Sequence, residues 1–107
     1  EALVPVSLVR CYPIGVIRMI DGKYDDDKII AIPYNDPNMN HYKTLDDVPK
    51  HMISEIEHFF MVYKNLEHKS TTGFKLEGKK QAIDIINQAL QDYQKSKDKL
   101  IRKNIRL

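Results

Sequence analysis

The residues best suited to chemistry lie in one short stretch, residues 19–33. Four aspartates, Asp21 and Asp25–Asp27, stand there between two apolar runs, and Lys28 follows directly. Carboxylates this close together repel one another unless a cation lies among them, and hard divalent cations such as Mg²⁺ prefer oxygen ligands of this kind. A lysine ammonium binds phosphate as a point charge. The stretch therefore suits phosphoryl-transfer chemistry, although a solvated acidic loop would have the same composition.

A second candidate site is the adjacent pair Tyr63 and Lys64, at the end of a segment with helical periodicity. A phenol and an ammonium here could both donate to a phosphate oxygen. Alternatively, Tyr63 is the last member of the apolar stripe and Lys64 complements the negative end of the helix. The four histidines lack the spacing of a zinc site, and no glycine-rich nucleotide-binding motif is present.

Composition favours a single globular domain over residues 1–107. The chain is 42% hydrophobic and 30% charged, and no run is apolar enough to span a membrane. The single cysteine, Cys11, excludes an internal disulfide and fits a reducing, cytoplasmic location; its apolar neighbours suggest a small core residue. The chain lacks an initiator methionine and opens in mid-pattern, which suggests a fragment, a processed chain or one piece of a larger fold.

The order of predicted elements is strands followed by helices, an α+β plan. Residues from about 6 to 33 are rich in β-branched side chains and read as extended, with a kink or bulge near Pro13 and Gly15 of the kind found in small barrels. Apolar residues then recur every three or four positions, which predicts helices over about 49–67 and 79–102, with a short extended piece between them.

Four segments of the sequence resemble the family I soluble inorganic pyrophosphatases, in their C-terminal half. They are residues 5–11, with Val6 where the family has glycine; the run from Ile14 through Pro33, with its Asp and Lys spacing; the link from His41 to Pro49; and the helix end His58-Phe59-Phe60-x-x-Tyr63-Lys64-x-Leu66-Glu67. The last motif and the acidic run together make the resemblance specific.

This resemblance implies a fold, a reaction and site residues. The fold is part of a small OB-like β-barrel with two helices packed outside it. The reaction is Mg²⁺-dependent hydrolysis of pyrophosphate to two phosphates, with Mn²⁺ or Zn²⁺ as substitutes. Asp21 and Asp26 correspond to metal ligands, and Lys28, Tyr63 and Lys64 to phosphate-binding residues. Asp25 and Asp27 match variable positions. Relatives of this kind form homo-oligomers.

The resemblance also shows what this sequence lacks. The family's Asp-x-Asp-Pro-x-Asp motif, which supplies central metal ligands and the base, does not occur here, so no catalytic residue is assigned and the chain alone is expected to be inactive. The alternative is a non-enzymatic OB-like module that contacts nucleic acid or a protein partner through the basic residues after Lys95. Nucleic-acid binding is disfavoured because such modules need aromatic residues among basic ones on strands, not an acidic loop.

Overall fold

A computed structural model of the protein describes residues 3–67 and 74–105. In chain order the elements are β1 (Cys11–Arg18), β2 (Ile20–Asp21), β3 (Tyr24–Asp25), β4 (Lys28–Pro33), a 3-10 turn (Leu45–Asp47), α1 (Lys50–Leu66), β5 (Lys75–Gly78) and α2 (Lys79–Ile105). A small antiparallel sheet followed by two helices confirms the α+β prediction. No helix of these described ranges is both long and apolar enough to cross a membrane.

The main sheet has the order β4-β1-β5, with both neighbours antiparallel to β1. Val16 in the centre of β1 pairs with Ile29 on one side and Glu77 on the other. The register shifts between Pro13 and Gly15, which confirms the predicted kink. The described strands form an open sheet, so they make up only part of a barrel.

The acidic stretch folds as a tight hairpin beside this sheet. β2 and β3 pair through Ile20 with Asp25 and through Asp21 with Tyr24. Gly22 turns the chain at φ +63°, a conformation that glycine adopts without steric cost. The hairpin returns the chain to β4, and so places residues 25–28 at the end of the sheet where β1 finishes.

The N-terminal segment differs from the prediction, because the first strand begins at Cys11 and not near Val6. Residues 5 and 6 form a turn in which Val6 adopts φ +65°, and the Ser7 hydroxyl donates to the Val4 carbonyl. A β-branched residue is strained in this left-handed region. Cys11 is exposed, so its assignment to the core was wrong: it opens the strand before the chain enters the packed layer.

The core lies on both faces of β1, where Ile14, Val16 and Ile17 are fully buried. Around Ile14, the residues Ile32 and Val48 form one cluster, against which Leu45 of the 3-10 turn and the first turn of α1 pack. Such burial contributes roughly 1.5–3 kcal/mol for each large aliphatic side chain. β1 is thus the fixed element from which the hairpin and both helices are positioned.

The two helices match their predicted ranges but not their predicted buried faces. α1 follows Pro49 and ends at Leu66, yet its fully buried residue is Lys64, while Phe59 is 61% exposed. α2 buries Ala82 and leaves Leu90 and Tyr93 largely exposed. The apolar stripes predicted from periodicity are therefore covered only in part by the described residues.

Candidate functional site

Asp26 lies between two lysine side chains that come from different parts of the chain. Lys28 Nζ donates to its Oδ1 at 2.7 Å, and Lys64 Nζ donates to its Oδ2 at 2.9 Å. Lys28 opens β4, whereas Lys64 lies in the last turn of α1. Three of the five predicted site residues are thereby brought into direct contact.

Backbone pairing fixes the position of Asp26. Its N–H donates to the Met19 carbonyl at 2.9 Å, immediately before the hairpin strand β2. Met19 is buried, so this bond ties the acidic residue to the core. The loop between β3 and β4 is two residues long, which leaves the carboxylate little freedom to move away from the lysines.

One face of α1 lies close to both ammonium groups: Phe60 contacts Lys28, and Lys64 itself is on this face. Phe60 precedes Lys64 by four residues, and residues at this spacing are neighbours on a helix surface. The Phe60 ring centroid lies 5.6 Å from Lys28 Nζ, within cation–π range. Phe60 and Asp26 therefore contact Lys28 from two directions, and Lys64 reaches the same carboxylate from one turn further along the helix.

Burial makes the electrostatics of this trio strong. Lys64 is 3% exposed, and a buried ammonium requires a carboxylate or hydrogen-bond acceptors beside it. Hydrogen bonds from Lys28 and then Lys64 hold the pKa of the Asp26 carboxyl below its usual value. Two ammonium groups from different elements thus converge on one carboxylate.

Tyr63 lies beside this trio but does not form part of the buried face. It is 49% exposed, and its ring stacks near Phe59 with centroids 6.3 Å apart. Successive helix residues differ in direction by about 100°, so Tyr63 and Lys64 leave α1 on different sides. In the described residues Tyr63 is a half-exposed end of the apolar stripe, stacked on Phe59, and a role in phosphate binding stays a prediction.

The second predicted metal ligand, Asp21, is placed only by its backbone. It pairs with Tyr24 in the hairpin, while Asp26 bonds back to Met19, so the two residues lie diagonally across the strands. The Asp21 side chain lies outside the described ones. Within the described part of the chain, no group of three or more acidic, histidine or cysteine side chains could enclose a metal.

The donor chemistry nevertheless fits a metal that is shared with a substrate. Mg²⁺ is commonly held by one or two carboxylates together with water and substrate phosphate oxygens. A carboxylate offers about four acceptor positions, and the lysines use two of those on Asp26. Asp26 is 29% exposed and can accept a further partner. The site thus suits a bridging ion better than a closed protein cage.

Two charged residues near the site, Arg18 and Glu77, were missed by sequence reasoning. Arg18 Nε donates to Asp27 Oδ1 at 3.1 Å, and its Nη1 approaches Glu77 Oε1 at 3.5 Å. Asp27, the partner of Arg18, matches only a variable position of the family motif. Asp27 and Glu77 lie nine and fifty-nine positions after Arg18 in the sequence, and only the strand register brings the three side chains together.

Comparison with known proteins assigns the chain to a family. The sequence model for inorganic pyrophosphatase matches residues 1–94. This chain belongs to the inorganic pyrophosphatase family. Among curated relatives, the inorganic pyrophosphatase of Methanosarcina acetivorans is 38% identical over 87% of the chain, that of Nostoc sp. 39% over 87%, and that of Methanosarcina mazei 35% over 91%.

The pyrophosphatase match covers the acidic hairpin, the trio around Asp26 and the end of α1, and so confirms the resemblance carried by those motifs. The chain spans about half the length of the curated relatives it matches, at 55% of the Methanosarcina acetivorans protein and 57% of the Methanosarcina mazei protein. The basic residues after Lys95, on which the nucleic-acid alternative rested, lie beyond the matched range.

Proposed function

We propose that this chain forms part of an inorganic pyrophosphatase that hydrolyses pyrophosphate to two phosphates with Mg²⁺. The observation that carries this proposal is the bridge from Lys28 through Asp26 to Lys64, which combines a carboxylate for a metal with ammonium groups for phosphate oxygens. Family membership supports the reaction, because the curated relatives are named inorganic pyrophosphatases.

Each proposed residue has a separate task. Lys28 and Lys64 bind phosphate oxygens, and their charge stabilises the transferring group as negative charge builds up on it. Tyr63 donates its hydroxyl to the same group. Asp26, with Asp21, would hold Mg²⁺, for which Mn²⁺ or Zn²⁺ can substitute. When bound, such an ion neutralises phosphate charge and lowers the pKa of a bound water.

Asp26 has a second task in this proposal, which is to hold the two lysines in place before the substrate arrives. The Lys28 ammonium has three N–H donors and donates one of them to Asp26, so the others can donate to phosphate. Preorganised charges avoid the cost of reorientation during the reaction. Burial of Lys64 strengthens its interaction with any bound anion, because the surrounding protein screens charge less than water does.

We further propose that the remaining metal ligands and the water-activating base come from outside this chain. The sequence lacks the Asp-x-Asp-Pro-x-Asp motif that the resemblance implies, and the chain spans about half of each curated relative. The isolated chain should therefore show little turnover. We also propose that the protein forms a homo-oligomer. We propose a reducing, cytoplasmic location, which fits a chain with a single cysteine.

A phosphate-release assay tests this function in two forms. One is the chain by itself; the other is a chimera that adds the part of the Methanosarcina acetivorans pyrophosphatase that this chain does not cover. Both are assayed with pyrophosphate and Mg²⁺, after removal of host pyrophosphatase. We expect Mg²⁺-dependent release from the chimera and almost none from the chain. The matched control is the chimera with Lys28 and Lys64 both changed to Met.

Two results would contradict the proposal. An active chimera whose double-Met control is equally active would remove the lysines from the reaction. A folded but inactive chimera that binds single-stranded nucleic acid would favour the non-enzymatic alternative.

A further inference from the structure

The acidic loop between β3 and β4 is held from two directions by adjacent carboxylates. Asp26 contacts the lysines of β4 and α1, whereas Asp27 contacts Arg18 at the end of β1. We infer that Arg18 is a positioning residue for the pyrophosphatase site, which fixes Asp26 between its two lysines by anchoring the neighbouring Asp27. This inference rests on the proposed function.

Geometry places Arg18 at a junction of three strands. It is the last residue of β1, its Nε bonds Asp27 just before β4, and its Nη1 approaches Glu77 in β5. An arginine fork carries several donors in one rigid plane and can hold two acceptors in a defined relation. The acidic loop is thereby joined to the strand on the far side of β1.

Charge explains why this junction needs an arginine. The Asp27 and Glu77 side chains are 15% and 17% exposed, so both are partly withdrawn from water. The Arg18 guanidinium compensates both; Lys75 also reaches Glu77 at 3.7 Å, but its side chain is 77% exposed. Without Arg18, Asp27 would lose this ion pair while Glu77 would keep the more exposed Lys75, and we expect Asp27 to turn towards solvent.

The consequence reaches the site through one peptide unit. Movement of Asp27 displaces Asp26, whose N–H bond to Met19 and whose two lysine contacts all depend on the position of the loop. Arg18 touches neither lysine and is not expected to contact phosphate. Its effect on anion binding is therefore indirect, and it should be visible first as loosening of the loop backbone.

Amide hydrogen exchange of the full chain, followed by NMR, tests this loosening. The substitution is Arg18→Met, and the matched control is Arg10→Met, which removes the same charge at a residue whose guanidinium lies over Tyr34. We expect Arg18→Met to speed exchange of the Asp26 amide several-fold, because local opening of the loop exposes this amide to solvent. The Tyr42 amide, bonded to Met39, serves as the reference for general unfolding.

Pyrophosphate titration of the same substitutions, made in the chimera, tests the link to the site. We expect Arg18→Met to weaken binding about tenfold, Arg10→Met to leave it unchanged, and Arg18→Lys to recover part of the loss, since an ammonium can still hold one carboxylate. Equal exchange and equal affinity in Arg18→Met and Arg10→Met would overturn the inference. So would faster exchange at Asp26 and Tyr42 alike, because that pattern reports only lost stability.

The proposed function fails separately from this inference. If the folded wild-type chimera binds no pyrophosphate while Asp26 exchange in the chain still depends on Arg18, the pyrophosphatase role of the lysines is rejected and the positioning by Arg18 stands.

Discussion

Lys64 Nζ lies 2.9 Å from Asp26 Oδ2, although 38 residues separate the two in sequence. The lysine is buried and the aspartate is partly exposed, so the pair closes one side of the site and leaves the other side open to solvent. This contact joins the end of α1 to the acidic hairpin. It also makes Asp26 a structural partner as well as a candidate metal ligand.

Asp26→Asn should therefore cost both activity and stability. A solvated loop aspartate contributes under about 0.5 kcal/mol to folding. Here an amide would replace a carboxylate that accepts a hydrogen bond from a buried ammonium, and we expect a loss of about 1–3 kcal/mol. Urea unfolding measures this loss, with Asp25→Asn as the control at an exposed position in β3. Equal stability of the two variants would contradict a stabilising role for the Lys64–Asp26 pair. Equal rates of phosphate release by chimeras that carry Asp26→Asn and Asp25→Asn would contradict the role of Asp26 as a metal ligand.

Lys64→Met should lower pyrophosphate affinity more than it lowers stability. Methionine retains an apolar stem for the buried site, and Asp26 keeps Lys28 as its partner. A charge-assisted hydrogen bond contributes about 1.5–3 kcal/mol, so we expect a loss in affinity of about tenfold or more by calorimetry. Lys97→Met, on an exposed part of α2, is the control for overall charge. Unchanged pyrophosphate affinity would favour the alternative, in which Lys64 complements the negative end of the helix.

Tyr63→Phe separates a phosphate-binding hydroxyl from a packing ring. The phenylalanine retains the stacking on Phe59, so the fold should be kept. We expect the rate of phosphate release by the chimera to fall nonetheless. The informative comparison is Tyr24→Phe, which removes a hydroxyl from an exposed hairpin residue. If both variants match the wild-type rate, the Tyr63 hydroxyl has no part in the reaction.

Asp47 should make stability depend on pH. The backbone N–H groups of Lys43 and Thr44 donate to its carboxylate at 2.9 and 3.1 Å and lower its pKa. A lowered pKa in the folded state means that the stabilisation is present above the unfolded value of about 3.9 and is lost as pH falls through the folded value. The difference in unfolding free energy between wild type and Asp47→Asn should therefore shrink below about pH 4. A difference in unfolding free energy that stays constant down to pH 2 would argue against the role of these two hydrogen bonds. Asp46→Asn, at the neighbouring residue, is the control.

Gly15→Ala should destabilise the fold through a clash with one residue. A Cβ at position 15 would lie 2.6 to 2.7 Å from three side-chain carbons of Leu45, which packs against the core. Overpacking of this kind costs about 1–3 kcal/mol. Gly78→Ala is the control, since the nearest atom to its added Cβ is 3.7 Å away. Leu45→Ala should be less costly in the Gly15→Ala background than in wild type; strictly additive losses would exclude the clash.

Local pattern was enough to determine the order of the elements and the identity of the family. Helical periodicity located α1 and α2 to within a few residues, because apolar spacing directly reflects the 3.6-residue turn. Pro13 and Gly15 indicated the irregularity in β1, because proline lacks the donor that a regular ladder needs. The spacing of Asp21, Asp26 and Lys28 and the pair Tyr63–Lys64 identified candidate chemistry, since these are contiguous motifs.

Tertiary structure alone decided which of those residues meet. Periodicity assigned burial to aromatic residues of α1, whereas the folded chain buries Lys64, because what covers a helix face is decided by elements distant in sequence. The contacts of Arg18 with Asp27 and Glu77 depend on the register of β1 against β5, which no local pattern encodes. The sequence supplied the charges of this site, and the strand register and the placement of the last turn of α1 beside Asp26 determined how they are paired.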